Sequence, residues 1–358
     1  MINLTGKKLS LLTCGLLLSS SMAFGASTID EAFKSGTVSG GATLYGIDKD
    51  AKGGTADSDD AFATFSLSYE TASYKNLSVK TSFIAGHAFD DSNLAENAIM
   101  TEAYVKYAVD GFSLSVGRQA IDLEWLGDYN EAVVAAITSV PDTTIVAGYV
   151  NEQAAADEDE INAFDEVTKD GAYVLDVKYS GISNVELNPY YYSAPDVANF
   201  YGLKASYNSD AFGAVAHYAA SSEDTQKDGS IGHVELSTTL AGLSLAAGYI
   251  KAGDDVGAGS ISAYGDNISP FDEGANTYSA KAESYYASLG YSVAGIDLGA
   301  LYGQTEFGAN SEETELNLTA GYSITDSLGL SLLYVDYDLD GSSNSDFNSI
   351  SATLAYSF

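Results

Sequence analysis

A period-two alternation of apolar and polar residues is the feature of this sequence that most constrains its fold. In residues 349–358, small polar residues fall mainly on one face of a strand, and the other face carries Ile350, Ala352, Leu354, Tyr356 and Phe358. A water-soluble domain gains little from a terminal strand with an apolar outer face and a polar inner face. A barrel in a lipid bilayer needs that arrangement on every strand, because lipid surrounds the barrel and water fills it.

The alternation recurs from residue 36 onward in segments of about ten residues, the length that a tilted strand needs to cross a bilayer. Short turns alternate with longer polar connections, of which the longest are residues 152–169 and 253–277. Counting the segments predicts an all-β fold, an antiparallel transmembrane β-barrel of eighteen strands with short periplasmic turns and longer extracellular loops. Sixteen strands are the alternative, if the weak pair within residues 131–150 does not form.

Tyrosine positions support a membrane barrel over a soluble β-sandwich or propeller, which would also show alternating strands. On strands of one direction the tyrosines lie near the periplasmic end, and on strands of the other direction they lie near the external end. Two aromatic belts at the two membrane interfaces explain this clustering. The periplasmic belt is predicted to contain Tyr69, Tyr107, Tyr179, Tyr207, Tyr291, Tyr322 and Tyr356, and the external belt Tyr149, Tyr218, Tyr249, Tyr302 and Tyr334.

The start of the chain predicts export by the Sec pathway. Residues 1–26 combine Lys7 and Lys8, a short apolar stretch and small residues at a cleavage site, which is typical of a secretory signal peptide. In residues 27–35, Thr28 and Glu31 fit a capping box, so a short helical segment is expected before the barrel of residues 36–358. The barrel segment contains no cysteine, which excludes a disulfide framework.

Charge excludes one class of partner. The chain carries 50 acidic and 15 basic residues, a formal net charge of −35, so nucleic acid is not an expected partner.

Beyond the first residues no apolar run approaches the roughly 18 residues of a helical membrane span. His87, His217 and His233 are scattered and fit no nucleophile or metal spacing, which argues against an enzyme.

Four lysines are predicted to form a belt inside the lumen at the level where a channel sets its selectivity. By alternation, Lys80, Lys106, Lys178 and Lys204 face inward. The alternative is that each lysine pairs locally with an acid such as Glu102, Asp176 or Glu186. Either arrangement makes Lys80, Glu102, Lys106, Asp176, Lys178 and Lys204 candidate pore-lining residues.

The segment 122–131 is a candidate constriction loop. Its apolar residues, including the sole tryptophan Trp125, could pack against the inner wall while Asp122, Glu124 and Asp128 line the pore. An ordinary extracellular loop is the alternative. Arg118, just before this segment, faces lipid by strict alternation, so a bulge or a strand end is expected there.

The acidic spacing Asp336-x-Asp338-x-Asp340 copies the first half of a calcium-binding loop. The twelfth position is Phe347 rather than Glu, and the flanking segments are strands. A solvated hairpin is therefore the alternative to a Ca²⁺ site at Asp336, Asp338 and Asp340.

Three short segments resemble the Opr-type outer-membrane porins of ε-proteobacteria. Residues 28–40 resemble the mature N-terminus of that family, and residues 115–119 resemble the strand that leads into its constriction loop. Tyr356 and Phe358 resemble the terminal signal that the barrel-assembly machinery reads. The resemblance implies a water-filled diffusion channel, commonly trimeric, with residues 122–131 as its constriction loop.

These observations predict a bacterial outer-membrane porin for passive diffusion of ions and small hydrophilic solutes, with a mild cation preference. Its expected partners are outer-membrane lipid and lipopolysaccharide and the barrel-assembly machinery, and the family resemblance implies two further copies in a homotrimer. The alternative is a structural or adhesion barrel whose acidic loops bind cations and which has no open pore. A barrel enzyme is the third hypothesis.

Overall fold

The computed structural model describes residues 25–53, 56–89, 92–255, 268–309, 311–340 and 345–358. Nearly all of the expected signal peptide lies outside these residues. In the described part, eighteen long strands and one two-residue strand form a single antiparallel sheet that closes on itself. The prediction of an eighteen-stranded β-barrel is confirmed.

The first seven strands are β1 (Thr37–Ala51), β2 (Ser58–Glu70), β3 (Leu77–Ala88), β4 (Ala98–Val109), β5 (Phe112–Ala120), β6 (Tyr129–Ile137) and β7 (Thr143–Ala154). The two-residue strand β8 (Asp165–Glu166) extends the wall beside the end of β7. The middle strands are β9 (Ala172–Ile182), β10 (Val185–Ala194), β11 (Ala198–Asn208), β12 (Gly213–Glu223), β13 (Gly229–Leu240) and β14 (Leu243–Ala252). The last five are β15 (Glu283–Val293), β16 (Ile296–Phe307), β17 (Ser311–Thr325), β18 (Leu328–Leu339) and β19 (Phe347–Ser357).

Each long strand pairs with its neighbours in sequence, and β19 pairs with β1 to close the barrel from Gly41↔Ser357 to Ala51↔Phe347. Past this ladder, the Phe358 N–H donates to the Gly40 carbonyl at 3.0 Å and the Gly40 N–H donates to the Phe358 carbonyl at 3.1 Å. The β6–β7 pair is fully formed, which excludes the sixteen-strand alternative. No helix among the described residues is long and apolar enough to span a membrane.

Alternation places the apolar side chains outside. Phe65, Leu175, Leu203 and Leu318 are all exposed on the outer wall, whereas their immediate neighbours in sequence face the lumen. The short turns at one end contain left-handed residues that suit two-residue hairpins, among them Asn76, Gly111, Asn184, Gly242 and Gly295. The outer tyrosines near these turns include Tyr107, Tyr179, Tyr291, Tyr322 and Tyr356, and those near the long loops include Tyr218 and Tyr302.

A short helix, α1 (Ile29–Lys34), precedes β1. The Thr28 hydroxyl accepts a hydrogen bond from the Glu31 N–H at 3.1 Å, as an N-cap does. Glu31 bonds in turn to Ser27 rather than to Thr28, accepting from the Ser27 hydroxyl at 2.6 Å and from its backbone N–H at 2.7 Å. These bonds lower the pKa of the Glu31 carboxyl. The helix lies beside the β2–β3 turn, and the Tyr69 hydroxyl donates to the Phe33 carbonyl.

The seam between β1 and β19 predicts a position-specific effect of a single methyl group. A Cβ on Gly40 would lie 2.4 Å from the Ser66 carbonyl oxygen and 2.9 Å from the Phe358 ring, whereas a Cβ on Gly46, also on β1, meets only the Asp60 carbonyl oxygen at 3.8 Å. We expect Gly40→Ala to destabilise the barrel by about 1–3 kcal/mol, the usual cost of overpacking. Thermal unfolding of the refolded barrel in detergent measures the change. Equal melting temperatures for G40A and the matched control G46A would contradict the seam argument.

Candidate functional site

The inner wall of the barrel is apolar over a wide arc, whereas the alternation in the sequence predicts a polar inner face. The inward-facing residues of this arc include Val134 on β6, Val174 on β9, Phe200 on β11, Ile250 on β14 and, farther round, Leu301 on β16. All are buried although they face the inside. They are covered by segments of the connecting loops that fold into the barrel. These loop segments, and not only the side chains of the strands, narrow the lumen.

The first inward segment, loop A (residues 121–128), connects β5 to β6. Its Trp125 side chain has 0 % exposure, and the indole N–H donates to the Tyr190 hydroxyl at 2.8 Å. The same hydroxyl lies 2.8 Å from Nε2 of His217. Because Tyr190 and His217 point inward from β10 and β12, the tryptophan fixes loop A against the inner wall. The structure thus places residues 122–128 of the candidate constriction loop inside the barrel, whereas the last three residues of that segment, 129–131, belong to strand β6.

The acidic residues of loop A divide into two groups. Asp122 and Asp128 are exposed, and their role in lining the pore stays a prediction. Glu124 is only 7 % exposed, because its carboxylate accepts a hydrogen bond from the Lys204 ammonium at 2.9 Å. The expectation that Glu124 lines the open pore is therefore corrected: it pairs with a wall lysine and helps to hold loop A in place.

Of the four lumenal lysines, Lys80 pairs with one of the local acids that were the alternative to a free belt, and Lys204 pairs with Glu124 of loop A. The Lys80 ammonium lies 2.8 Å from the Glu102 carboxylate, and Glu102 is itself buried. A bulge in β4, where the register with β3 shifts, turns both Thr101 and Glu102 inward. Lys106 and Lys178 also face inward, each flanked by outward-facing apolar residues. The effect of these lysines on selectivity stays a prediction.

Asp176 is more deeply buried than the sequence indicated, with 1 % exposure. Its two carboxylate oxygens accept hydrogen bonds from the Asn188 amide at 2.7 Å and from the Tyr192 hydroxyl at 2.9 Å. These groups lie on the inner face of β9 and β10. Asp176 therefore belongs to the wall beneath loop A, and it does not face the open lumen.

A second inward segment, loop B (residues 156–161), is a small hairpin between β7 and β8. Ala156 and Ile161 form its bridge, and the Asp157 N–H donates to the Glu160 carbonyl at 2.8 Å. Ile161 has 0 % exposure and packs with Phe62 and Ile84, which point inward from β2 and β3. Loop B thus covers the inner wall at β2 and β3, and its tip is the acidic run of residues 157–160.

A third inward segment, loop C (residues 268–278), precedes β15 and ends in a one-turn 3-10 helix at Asn276–Tyr278. Its Phe271 packs against Tyr286, with ring centroids 6.5 Å apart. Its Tyr278 approaches Trp125 of loop A edge-on at 6.3 Å. Loops A and C therefore meet inside the barrel.

Two histidines that are scattered in sequence lie side by side in the structure. His217 on β12 is directly opposite His233 on β13. Nε2 of His233 lies 2.8 Å from the Tyr286 hydroxyl, which donates to Glu235 at 2.6 Å. Sequence reasoning missed this row because its members come from three strands. Among the described residues, no group of three or more His, Cys, Asp or Glu side chains is arranged to hold a metal ion.

Arg118, which strict alternation would place toward mid-bilayer lipid, lies near a strand end, as expected. Arg118 lies near the end of β5, and the register of the neighbouring β6–β7 pair shifts beside Ala132. Its guanidinium lies 3.3 Å from Glu131 and 3.9 Å from Glu152, and it stacks on the Phe164 ring at 4.1 Å. The charge is neutralised at the end of the strand near the long loops, where it is less costly than in mid-bilayer.

The structure does not support the calcium site. Asp336 and Asp338 lie on strand β18, and Asp340 lies one residue past its end rather than in a coiled loop. In the part of the chain that the structure describes, no group of three or more His, Cys, Asp or Glu side chains is arranged to hold a metal ion, and a lysine already lies between the first two aspartates. The Lys52 ammonium instead pairs with Asp336 and, at 2.8 Å, with Asp338.

A protein-family model described as "Putative outer membrane protein" matches residues 33–212, half of the chain. The chain belongs to this family. The match confirms the outer-membrane part of the resemblance found in the sequence, and the ε-proteobacterial assignment stays a prediction. No curated protein matches the sequence.

Solved barrels share the fold of this outer membrane protein. Pseudomonas aeruginosa OccK8 (OprE) has a TM-score of 0.77 at 14% sequence identity, covering 91% of this chain and 98% of its own. Pseudomonas aeruginosa OccK3 (OpdO) has a TM-score of 0.76 at 16% identity, with 92% and 97% coverage. Acinetobacter baumannii OccAB1 has a TM-score of 0.77 at 12% identity, with 92% and 98% coverage. At these identities the likeness establishes the architecture.

Because the sequence contains one tryptophan, fluorescence reports directly on loop A. We expect a blue-shifted Trp125 emission that acrylamide quenches weakly. Tyr190→Phe leaves the indole N–H without its acceptor, at a cost of about 1–3 kcal/mol, and should increase quenching. Tyr191→Phe is the matched control, because Tyr191 is the next residue and faces outward. Strong quenching of the unsubstituted protein would show that loop A lies outside the barrel in solution.

Proposed function

We propose that the protein is a porin, a water-filled channel for passive diffusion of ions and small hydrophilic solutes across the outer membrane. The observation that carries the proposal is the set of three loop segments folded inside a closed barrel. A barrel that served only as a structural anchor would not need its lumen narrowed by buried, hydrogen-bonded loops, whereas a channel sets its selectivity at such a level. The crystal structure of Pseudomonas aeruginosa OpdK with vanillate, a barrel of the same architecture, supports a role in handling small solutes.

A mild cation preference is part of the proposal. Lys80 and Lys204 are neutralised by Glu102 and Glu124, so their charges add little to the field of the lumen. Asp122 and Asp128 of loop A are exposed, and the tip of loop B adds four consecutive acidic residues. Water-filled clefts lined by one sign of charge concentrate the opposite ion.

The remaining expectations accompany this proposal. We propose no enzymatic activity, since the histidines adjoin tyrosines and a wall glutamate without the nucleophile–base arrangement of an active site. We also propose export by residues 1–26, recognition of Tyr356 and Phe358 by the assembly machinery and contact with lipopolysaccharide. The family resemblance supports a homotrimer. The adhesion alternative predicts the same barrel without ion conduction.

Planar-bilayer recording tests both parts of the proposal. Stepwise current is expected from the purified barrel, and its reversal potential in a salt gradient should indicate cation preference. Asp122→Asn combined with Asp128→Asn should reduce that preference roughly 1.5- to 3-fold, because two lumenal charges are removed. Asp48→Asn with Asp59→Asn is the matched control, since these paired residues lie on the outer face. Absence of stepwise current would refute the porin, and an anion preference would refute the charge argument.

A further inference from the structure

Loop C is attached to the barrel wall through its backbone rather than through its side chains alone. The N–H groups of Asp272, Glu273 and Gly274 donate to the Glu315 carboxylate at 2.7, 3.0 and 2.6 Å. Glu315 points inward from β17, opposite the lipid-facing Leu316 and Leu318. Three successive backbone donors thus converge on a single wall carboxylate.

The acceptor capacity of Glu315 is fully used. The amide of Asn317 gives a fourth hydrogen bond, at 2.7 Å, so that each carboxylate oxygen accepts two. Only an ionised carboxylate offers about four acceptor sites, and a glutamine would turn its NH₂ group toward N–H donors. Glu315 is 2 % exposed, so bulk water does not replace a lost bond. The isosteric substitution Glu315→Gln, which removes the charge and replaces one acceptor by a donor group, should therefore release loop C from the wall.

A second carboxylate continues the contact. Glu313, also 2 % exposed, accepts from the backbone N–H of Asn276 at 2.9 Å and from its side-chain amide at 2.6 Å. The Tyr337 hydroxyl donates to the same carboxylate at 2.9 Å and orients it. Alternate residues of one strand thus bind both halves of loop C.

The wall also provides a fitted surface for the apolar part of loop C. A Cβ on Gly303 would lie 2.3 Å from the Phe271 ring, so the ring packs directly on the glycine backbone. Gly303 pairs with Glu315 across the β16–β17 ladder. The carboxylate and the glycine therefore form one contact region on the inner wall.

We propose that Glu315 and Glu313 are the positioning residues that hold loop C inside the lumen and thereby set the conductance of the channel. The proposal deepens the porin function and rests on it. The two carboxylates act on permeating ions through the loop: their oxygens are occupied by hydrogen-bond donors of loop C, and what they control is the open cross-section. Tyr278 of loop C packs on Trp125 of loop A, so release of loop C also loosens the cover over the tryptophan.

The first test compares Glu315→Gln with Glu70→Gln in single-channel recordings. Glu70 faces the lumen opposite Lys80 on β3, so E70Q removes one lumenal charge four strands away from β17, to which loop C is bound. E315Q should raise the single-channel conductance by about 1.5-fold or more, since conductance follows the open cross-section. E70Q should leave it nearly unchanged. Equal conductance of E315Q and the unsubstituted protein would overturn the proposal.

A second variant keeps the proposal testable if E315Q does not fold. Gly303→Ala displaces the Phe271 ring without altering any charge, and it should raise the conductance in the same direction. Gly232→Ala is its control, because a Cβ on that strand glycine meets nothing within 4 Å. A raised conductance in both glycine variants, or in neither, would overturn the assignment.

Fluorescence separates this proposal from the proposed function. E315Q and G303A should both increase acrylamide quenching of Trp125, whereas E70Q and G232A should not. If the unsubstituted protein passes no stepwise current, the porin function fails, and unchanged quenching in E315Q would refute the positioning role as well. Stepwise current with unchanged quenching and conductance in E315Q would refute the positioning role alone.

Discussion

The structure depends on one constraint, that backbone N–H and C=O groups facing lipid must be hydrogen-bonded within the protein. A sheet satisfies this constraint only when its two edges meet. Here the edges are β1 and β19, which pair along almost their full length, and the terminal Phe358 adds two further bonds to Gly40. Once the sheet closes, each side chain has one of two solvents, and the alternation of the sequence decides which one.

The packing inside the barrel does not follow from the hydrogen-bonding constraint. Loops A, B and C carry apolar residues such as Trp125, Ile161 and Phe271 into a space that alternation alone would leave to water. The wall beneath them is correspondingly apolar on both faces. This explains why β6, with Ala132, Val134 and Ala136 pointing inward, is weak as an alternating segment and yet is a complete strand.

Sequence reasoning reached the fold because the outward face of each strand is recorded locally, at every second residue. The cap at Thr28 and the exception at Arg118 were accessible for the same reason. The lumenal contacts were not, since Trp125 with Tyr190, Glu124 with Lys204, and Glu315 with loop C join residues from different parts of the chain. The calcium hypothesis rested on a local pattern that was ambiguous, because the spacing from Asp336 to Asp340 is shared by a coiled loop and by one face of a strand.

The seam has a consequence for the order of folding. Nearly every strand pairing joins neighbours in sequence, which can form through short turns, but the β1–β19 pairing joins the two ends of the sheet. Contacts of such sequence separation are slow to form because the entropy of closing the intervening chain is lost before they contribute. Until they form, both edge strands expose unpaired backbone groups that can join another chain. The barrel therefore gains its protection from edge-to-edge association in the last step of folding, and not gradually as strands are added.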